Sequence, residues 1–143
     1  MDNPAHTYTS GAIRLEERDI FAFARQFDPQ PYHLDRAEGD ASIFGGLCAS
    51  GWQVAALANR LVGEALIGAG LSFVDMTAVQ DMRWKRPSFA DDTVAVRIAL
   101  GERRDTSPIP DCYTVAARVE VTDSADNVVA EILCELAMEA EHE

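Results

Sequence analysis

The chain has 143 residues, 48% of them hydrophobic and 25% charged, with a formal net charge of −12 at pH 7. A chain of this size buries roughly two-thirds of the surface it exposes when unfolded, so a single domain over residues 1–143 is expected. Phosphate-backbone binding needs a dense cationic patch, and Arg83, Lys85 and Arg86, with Arg103 and Arg104 further on, are too sparse to form one, which excludes a nucleic-acid partner.

Cys48, Cys112 and Cys134 are odd in number and lack metal-type spacing, and the N-terminus (MDNPAHTYTS) has no apolar run. Free, buried thiols in a reducing cytoplasm are therefore expected. His6, His33 and His142 are scattered without the company a metal site requires, so no metal is expected. The apolar stretch 47–71 is broken by Ser50, Gln53, Asn59, Arg60 and Glu64, which rules it out as a membrane span.

In chain order, a strand-like opening over 7–15 leads to Glu16-Glu17-Arg18-Asp19. Ile20, Phe21, Phe23, Ala24 and Phe27 then fall at helical spacing, with the acidic residues at the positive helix start. Pro29 and Pro31 end that helix near Phe27 and make residues 28–33, Asp-Pro-Gln-Pro-Tyr-His, a stiff turn. A short helix is expected over 35–42. After Gly45-Gly46, residues 49–68 form a long helix that is apolar around most of its circumference and therefore central to the fold. Beyond Leu71 the pattern changes to period two. Val94, Val96, Ile98 and Leu100 alternate, as do Tyr113, Val115, Ala117, Val119 and Val121, with turn clusters at 89–92, 106–110 and 123–127. One buried helix followed by long antiparallel strands is an α+β layout in which a curved sheet wraps a helix.

Two segments carry candidate chemistry. Asp28 and His33 lie on one proline-stiffened turn, which can hold a carboxylate and an imidazole at a fixed separation for moving protons. The same spacing is met if Asp28 merely closes the turn through an Asx-type bond and His33 packs on Tyr32. The second segment is the start of the long helix, residues 44–52. There the unpaired N–H groups carry partial positive charge, and glycine lets a ligand oxygen approach the backbone, as a thioester enolate would require. Glycines that only permit tight helix–sheet packing satisfy that pattern equally.

The run Phe27-Asp28-Pro29-Gln30-Pro31-Tyr32-His33-Leu34-Asp35 resembles the hydratase motif of MaoC-like acyl dehydratases and (R)-specific enoyl-CoA hydratases, with Asp and His five positions apart before the central helix. Residues 44–52, the Met82–Pro87 stretch and Asp92-Thr93-Val94 resemble the later segments of that family, so the likeness runs in order from Ile20 to at least Val96. It implies a single hot-dog domain, with Asp28 and His33 as the acid/base pair and Gly51, beside Ser50, as the site that receives the thioester oxygen. The implied reaction is reversible hydration of a trans-2-enoyl thioester. No cofactor is implied, coenzyme A being part of the substrate, and the likeness further implies a homodimer or higher homo-oligomer. Two departures stand out: Gln53 where the subgroup frequently has His, and Asp91 where a turn glycine is usual.

Two rival readings share these residues: a hot-dog thioesterase, in which one carboxylate activates water against the carbonyl carbon, and a non-catalytic acyl-binding or structural subunit. The Asp28/His33 pair favours hydration, since it supplies two proton-carrying groups. Cys48 is read as a small buried residue in preference to an activated thiol, and Trp52 and Trp84 as core side chains in preference to ligand-stacking ones. Arg83, Lys85 and Arg86 are open to two readings, a solvated strand end or contacts to coenzyme A phosphates. An anionic ligand would need the few basic residues gathered locally.

Overall fold

The computed structural model describes residues 7–141, so His6 and His142 lie outside the described residues. The opening segment divides into β1 (Thr7–Thr9) and β2 (Ile13–Arg14), both antiparallel to β4 (Thr93–Arg104). The division falls at Ser10, whose N–H donates to Val96 O at 3.0 Å while its Oγ accepts from Val96 N–H at 2.9 Å. Helix α1 (Glu17–Phe27) buries Ile20 and Ala24 on one face and ends where Asp28 N–H closes on Ala24 O at 2.9 Å, one residue before Pro29.

The stretch expected to be a stiff turn contains a helical turn of its own, α2 (Pro31–Leu34). Proline suits the first helical position, because its fixed φ is already helical and the missing N–H would have no partner there. Asp35 then caps α3 (Arg36–Ala41), accepting from Ala37 N–H at 2.7 Å and Glu38 N–H at 3.2 Å. The long helix α4 (Gly51–Gly68) starts two residues later than its apolar pattern suggests. Cys48 bridges to Phe89 as extended chain and Ala49 N–H donates to Ser88 O at 2.8 Å, so the backbone turns helical only at the Ser50 cap.

Strands β3 (Phe73–Trp84), β4 (Thr93–Arg104), β5 (Cys112–Thr122) and β6 (Val128–Glu139) complete an antiparallel sheet in the order β1-β4-β5-β6-β3. Both β3 and β4 pack on α4 although two strands separate them in the sheet, so the sheet curves around the helix. The fully buried set records this wrapping: Leu61, Val62 and Leu66 from α4 meet Val94, Val96 and Ile98 from β4, Val119 and Val121 from β5, and Ile132 and Leu136 from β6. Each such side chain contributes about 1.5–3 kcal/mol of burial. The expectation of a helix apolar all round is corrected in part, because Asn59, Arg60, Glu64 and Ile67 lie on an exposed face of α4. Among the described residues no helix is long and apolar enough to cross a membrane. The three cysteines are free, Cys48 and Cys134 buried and Cys112 half-buried.

Each turn cluster includes or adjoins an aspartate in the left-handed region: Asp91 (φ 72°), Asp111 (φ 59°) and Asp126 (φ 65°). Aspartate tolerates that conformation better than most residues. Asp91 is the position where glycine was anticipated. It is held by its N–H on Leu15 O at 2.7 Å and by Arg14 Nη2 at 2.9 Å from its carboxylate. Asp92 ties the same turn to the β5–β6 connection, accepting from Thr93 N–H at 2.7 Å and Ser124 N–H at 3.2 Å. Partial burial pushes the Asp92 carboxyl up, but the hydrogen bonds from Ser124 and Thr93 outweigh it and hold it below its ordinary value of 3.8. A carboxyl depressed by folding adds stability that is present above its unfolded value and lost as pH falls through the folded one. The difference in urea-denaturation stability between the wild type and Asp92→Asn should therefore shrink between pH 6 and pH 3; a constant difference would refute it.

Candidate active site

The α1 stop, the α2 turn and the α4 start converge on one cavity. His33 is buried (6% exposed) and its ring is held on three sides: edge-on by Tyr32 at 4.5 Å between centroids, by the Cys48 carbonyl, and by the Asp28 carboxylate. The contact between Nδ1 and Cys48 O is 2.7 Å. A carbonyl oxygen can only accept, so Nδ1 carries the hydrogen and donates, leaving Nε2 to face Asp28. Nε2 lies 3.5 Å from Asp28 Oδ2, too far for a direct hydrogen bond of ordinary length. A neutral imidazole nitrogen and a carboxylate both accept there, so the pair is built to share a donor placed between them.

Asp28 makes no Asx-type bond within its own turn among the described residues. Its Oδ2 accepts from Ser50 Oγ at 2.7 Å. Ser50 is fully buried, and its Oγ also accepts from Trp52 N–H at 3.3 Å, so the cap of α4 and the orientation of Asp28 depend on one hydroxyl. The sequence-predicted residues Asp28, His33, Ser50 and Gly51 are thus brought together. The Gly51 N–H opens α4 and has no acceptor among the described residues, and Gly51 lines the cavity. For glycine itself the structure gives the packing reason, one of the two that the sequence left open. A Cβ would lie 2.7 Å from the Trp84 indole, which donates from Nε1 to Gly51 O at 2.7 Å. The missing side chain makes room for tryptophan.

The cavity holds about 410 Å³, within the range of small-molecule sites. Tyr32, Phe44, Val54 and Pro87 line it, and Trp52 and Trp84 stand at its rim, 4.9 Å apart edge-on. The expectation that both tryptophans pack in the core is corrected: they are 61% and 41% exposed. Trp84 ends an edge strand and Trp52 sits in the first turn of α4, so neither has a further layer to cover it. Sequence reasoning had Phe44 within the candidate segment 44–52 and left Lys85 and Arg86 open to ligand contacts, but it missed Pro87 and Ser88 as cavity walls. The proline turn after β3 was visible, but not that it folds back over α4.

The MaoC like domain profile matches residues 3–128. The chain belongs to the MaoC-like domain family. Among solved structures, the MaoC-like dehydratase from Rhodospirillum rubrum is 28% identical, with a TM-score of 0.80 over 96% of this chain and 92% of that one. The R-hydratase PhaJ1 from Pseudomonas aeruginosa is 25% identical, with a TM-score of 0.69 over 94% of this chain and 81% of that one. The helix wrapped by a curved sheet is the hot-dog fold. By sequence, the uncharacterized protein YdeM of Bacillus subtilis (strain 168) is 29% identical over 86 residues, 59% of this chain and 60% of that relative. The match therefore covers under two-thirds of YdeM's length.

Within this MaoC-like site, the surroundings of Cys48 work against a nucleophilic thiolate. Burial pushes its thiol up, the Asp28 charge adds to the effect, and the reactive thiolate is disfavoured. Gln53 carries a different oddity. It is buried and its Oε1 has no hydrogen-bond partner among the described residues. An unsatisfied buried acceptor costs roughly 1–3 kcal/mol. Gln53→Met, similar in shape without the polar atoms, should raise stability in urea by about 1 kcal/mol. A loss of stability would show that a donor reaches Oε1 in solution.

Proposed function

We propose that this MaoC-like chain catalyses reversible addition of water to a trans-2-enoyl thioester. The observation that carries the reading is the 3.5 Å separation of Asp28 Oδ2 and His33 Nε2, with the imidazole tautomer set by Cys48 O. A water donating one hydrogen to each acceptor is held with its oxygen lone pairs free. As that oxygen bonds to C3 of the enoyl group, the pair takes one of its protons, and the C2–C3 π electrons move toward the thioester oxygen. The Gly51 N–H at the positive end of α4 stabilises the resulting enolate. Return of a proton from the pair to C2 completes the addition, and dehydration is the reverse. Ser50 serves as a positioning residue that aims the Asp28 carboxylate. These steps are proton transfers, which ask no cofactor of the protein.

The R-hydratase and dehydratase names of the relatives agree with this chemistry. We read the chain further as a cytoplasmic homodimer or higher homo-oligomer. Free thiols fit a reducing compartment. Strand β3 leaves its outer edge unpaired over 12 residues and exposes Val74, Val79 and Trp84, an edge that soluble proteins cover. The test mixes purified protein with a short and a medium trans-2-enoyl-CoA and follows loss of the conjugated double bond, with free thiol detected in parallel. Loss of conjugation without thiol release is expected. Thiol release alone would replace hydration with thioester hydrolysis, and no change in either signal would refute both.

A further inference from the structure

Every lysine and arginine of the chain except Arg25 and Arg86 has a carboxylate partner within 4.0 Å among the described residues. Arg25 lies exposed on α1, away from the cavity, whereas Arg86 lines the cavity beside Lys85 and Trp84. In a chain of net charge −12, acidic side chains are abundant, so a guanidinium left unpaired at a cavity rim is unusual. The backbone at this point is fixed. The N–H groups of Lys85 and Arg86 both donate to Val129 O, at 2.8 and 3.3 Å, and Pro87 comes next. Lys85 is only loosely engaged: its Nζ is 3.6 Å from Glu131, a carboxylate already held by Arg118 at 2.6 Å. The inner part of the cavity carries Asp28 and His33, and its walls are aromatic.

We propose that Arg86, with Lys85 beside it, anchors the phosphate at the far end of a pantetheine arm whose thioester lies at Asp28 and His33. The proposal rests on the thioester reading above and adds the part of the substrate that the acid/base pair does not see. Guanidinium is permanently charged and presents paired N–H donors that match a phosphate, and the surrounding negative field makes a local cation necessary for such a ligand. Coenzyme A and the phosphopantetheine of an acyl carrier protein share this phosphate ester. The basic residues that are too few for a nucleic-acid surface are enough for one phosphate.

The test separates anchoring from chemistry by using saturated thioesters, which cannot be hydrated. Binding of butyryl-CoA, butyryl-pantetheine and a butyryl acyl carrier protein is measured by calorimetry for the wild type, Arg86→Gln, Arg86→Lys and Arg25→Gln. Arg86→Gln should weaken butyryl-CoA or the carrier-protein thioester about tenfold more than it weakens butyryl-pantetheine, which has no phosphate. Arg86→Lys should recover part of the loss, and Arg25→Gln, the same charge change outside the cavity, should produce none. Dependence on Arg86 with only one phosphorylated ligand identifies the carrier. Equal weakening of all three ligands, or an equal effect of Arg25→Gln, overturns the anchor. Arg86-dependent binding without turnover of any enoyl thioester keeps the anchor and refutes the hydratase reading; turnover without Arg86 dependence does the opposite.

Discussion

Asp28→Asn should lower the hydration rate of a short trans-2-enoyl-CoA by about 10²–10⁴-fold, the usual worth of a positioned acid/base group. Asparagine keeps the size of the side chain, and its amide oxygen can still accept from Ser50 Oγ, which lies 2.7 Å from Asp28 Oδ2 in the native protein. It removes only the ability to hold and pass a proton. Steady-state kinetics should therefore show the loss in kcat rather than in KM, because Gly51, the proposed thioester site, and the cavity walls are unchanged. Far-UV circular dichroism and the urea midpoint check that the fold is intact. Full activity in a folded Asp28→Asn protein would remove Asp28 from the chemistry and leave it a structural partner of Ser50 at the α4 cap.

Gly39→Ala should lower stability by about 3 kcal/mol, although the helix propensity of alanine alone argues for a gain of about 1 kcal/mol. Gly39 lies inside α3, and a Cβ there would stand 2.7 Å from both the Cα and the N of Leu47 and 2.9 Å from the carbonyl carbon of Gly46. These are backbone atoms that cannot rotate away, so the close contact outweighs the propensity. Urea denaturation decides the sign. A stabilised Gly39→Ala protein would mean that the 46–47 segment yields at little cost. The same substitution pushes on the chain that leads to the Cys48 carbonyl, so hydration should fall further than the unfolded fraction accounts for.

The sequence made the helix-and-sheet layout legible because binary patterning is local. The alternation of Val94, Val96 and Ile98 and the helical spacing of Val54, Ala58, Leu61 and Val62 each specify a buried face without reference to partners. The Asp28/His33 spacing was readable for the same reason, since both residues sit on one short segment stiffened by prolines. Contacts made across the fold were not readable. The indole that fills the space over Gly51 comes from 33 positions away, and the serine that orients Asp28 from 22. The two tryptophans were misplaced because a large aromatic side chain carries no local mark of whether another layer will cover it. The α4 start was set two residues early because Cys48 and Ala49 are apolar enough to extend the helical pattern, while their long-range pairing with Ser88 and Phe89 holds them extended. The departure at Asp91 proved to be an aspartate in the left-handed conformation (φ 72°) that glycine adopts most readily.

The His33 tautomer is set by a main-chain oxygen, and this distributes mutational tolerance unevenly. A side-chain acceptor could be deleted by a single substitution; the Cys48 carbonyl belongs to the backbone and persists whatever residue stands at 48. Any small apolar residue that fits the buried space preserves the lock, so the thiol itself is free to drift. The constraint moves to residues with no chemistry of their own. Gly39 and Gly46 admit no added carbon without meeting Leu47 or the Phe89 ring, and Phe89 bridges Cys48. Two glycines and a phenylalanine thus carry the sequence cost of keeping one imidazole nitrogen turned toward Asp28.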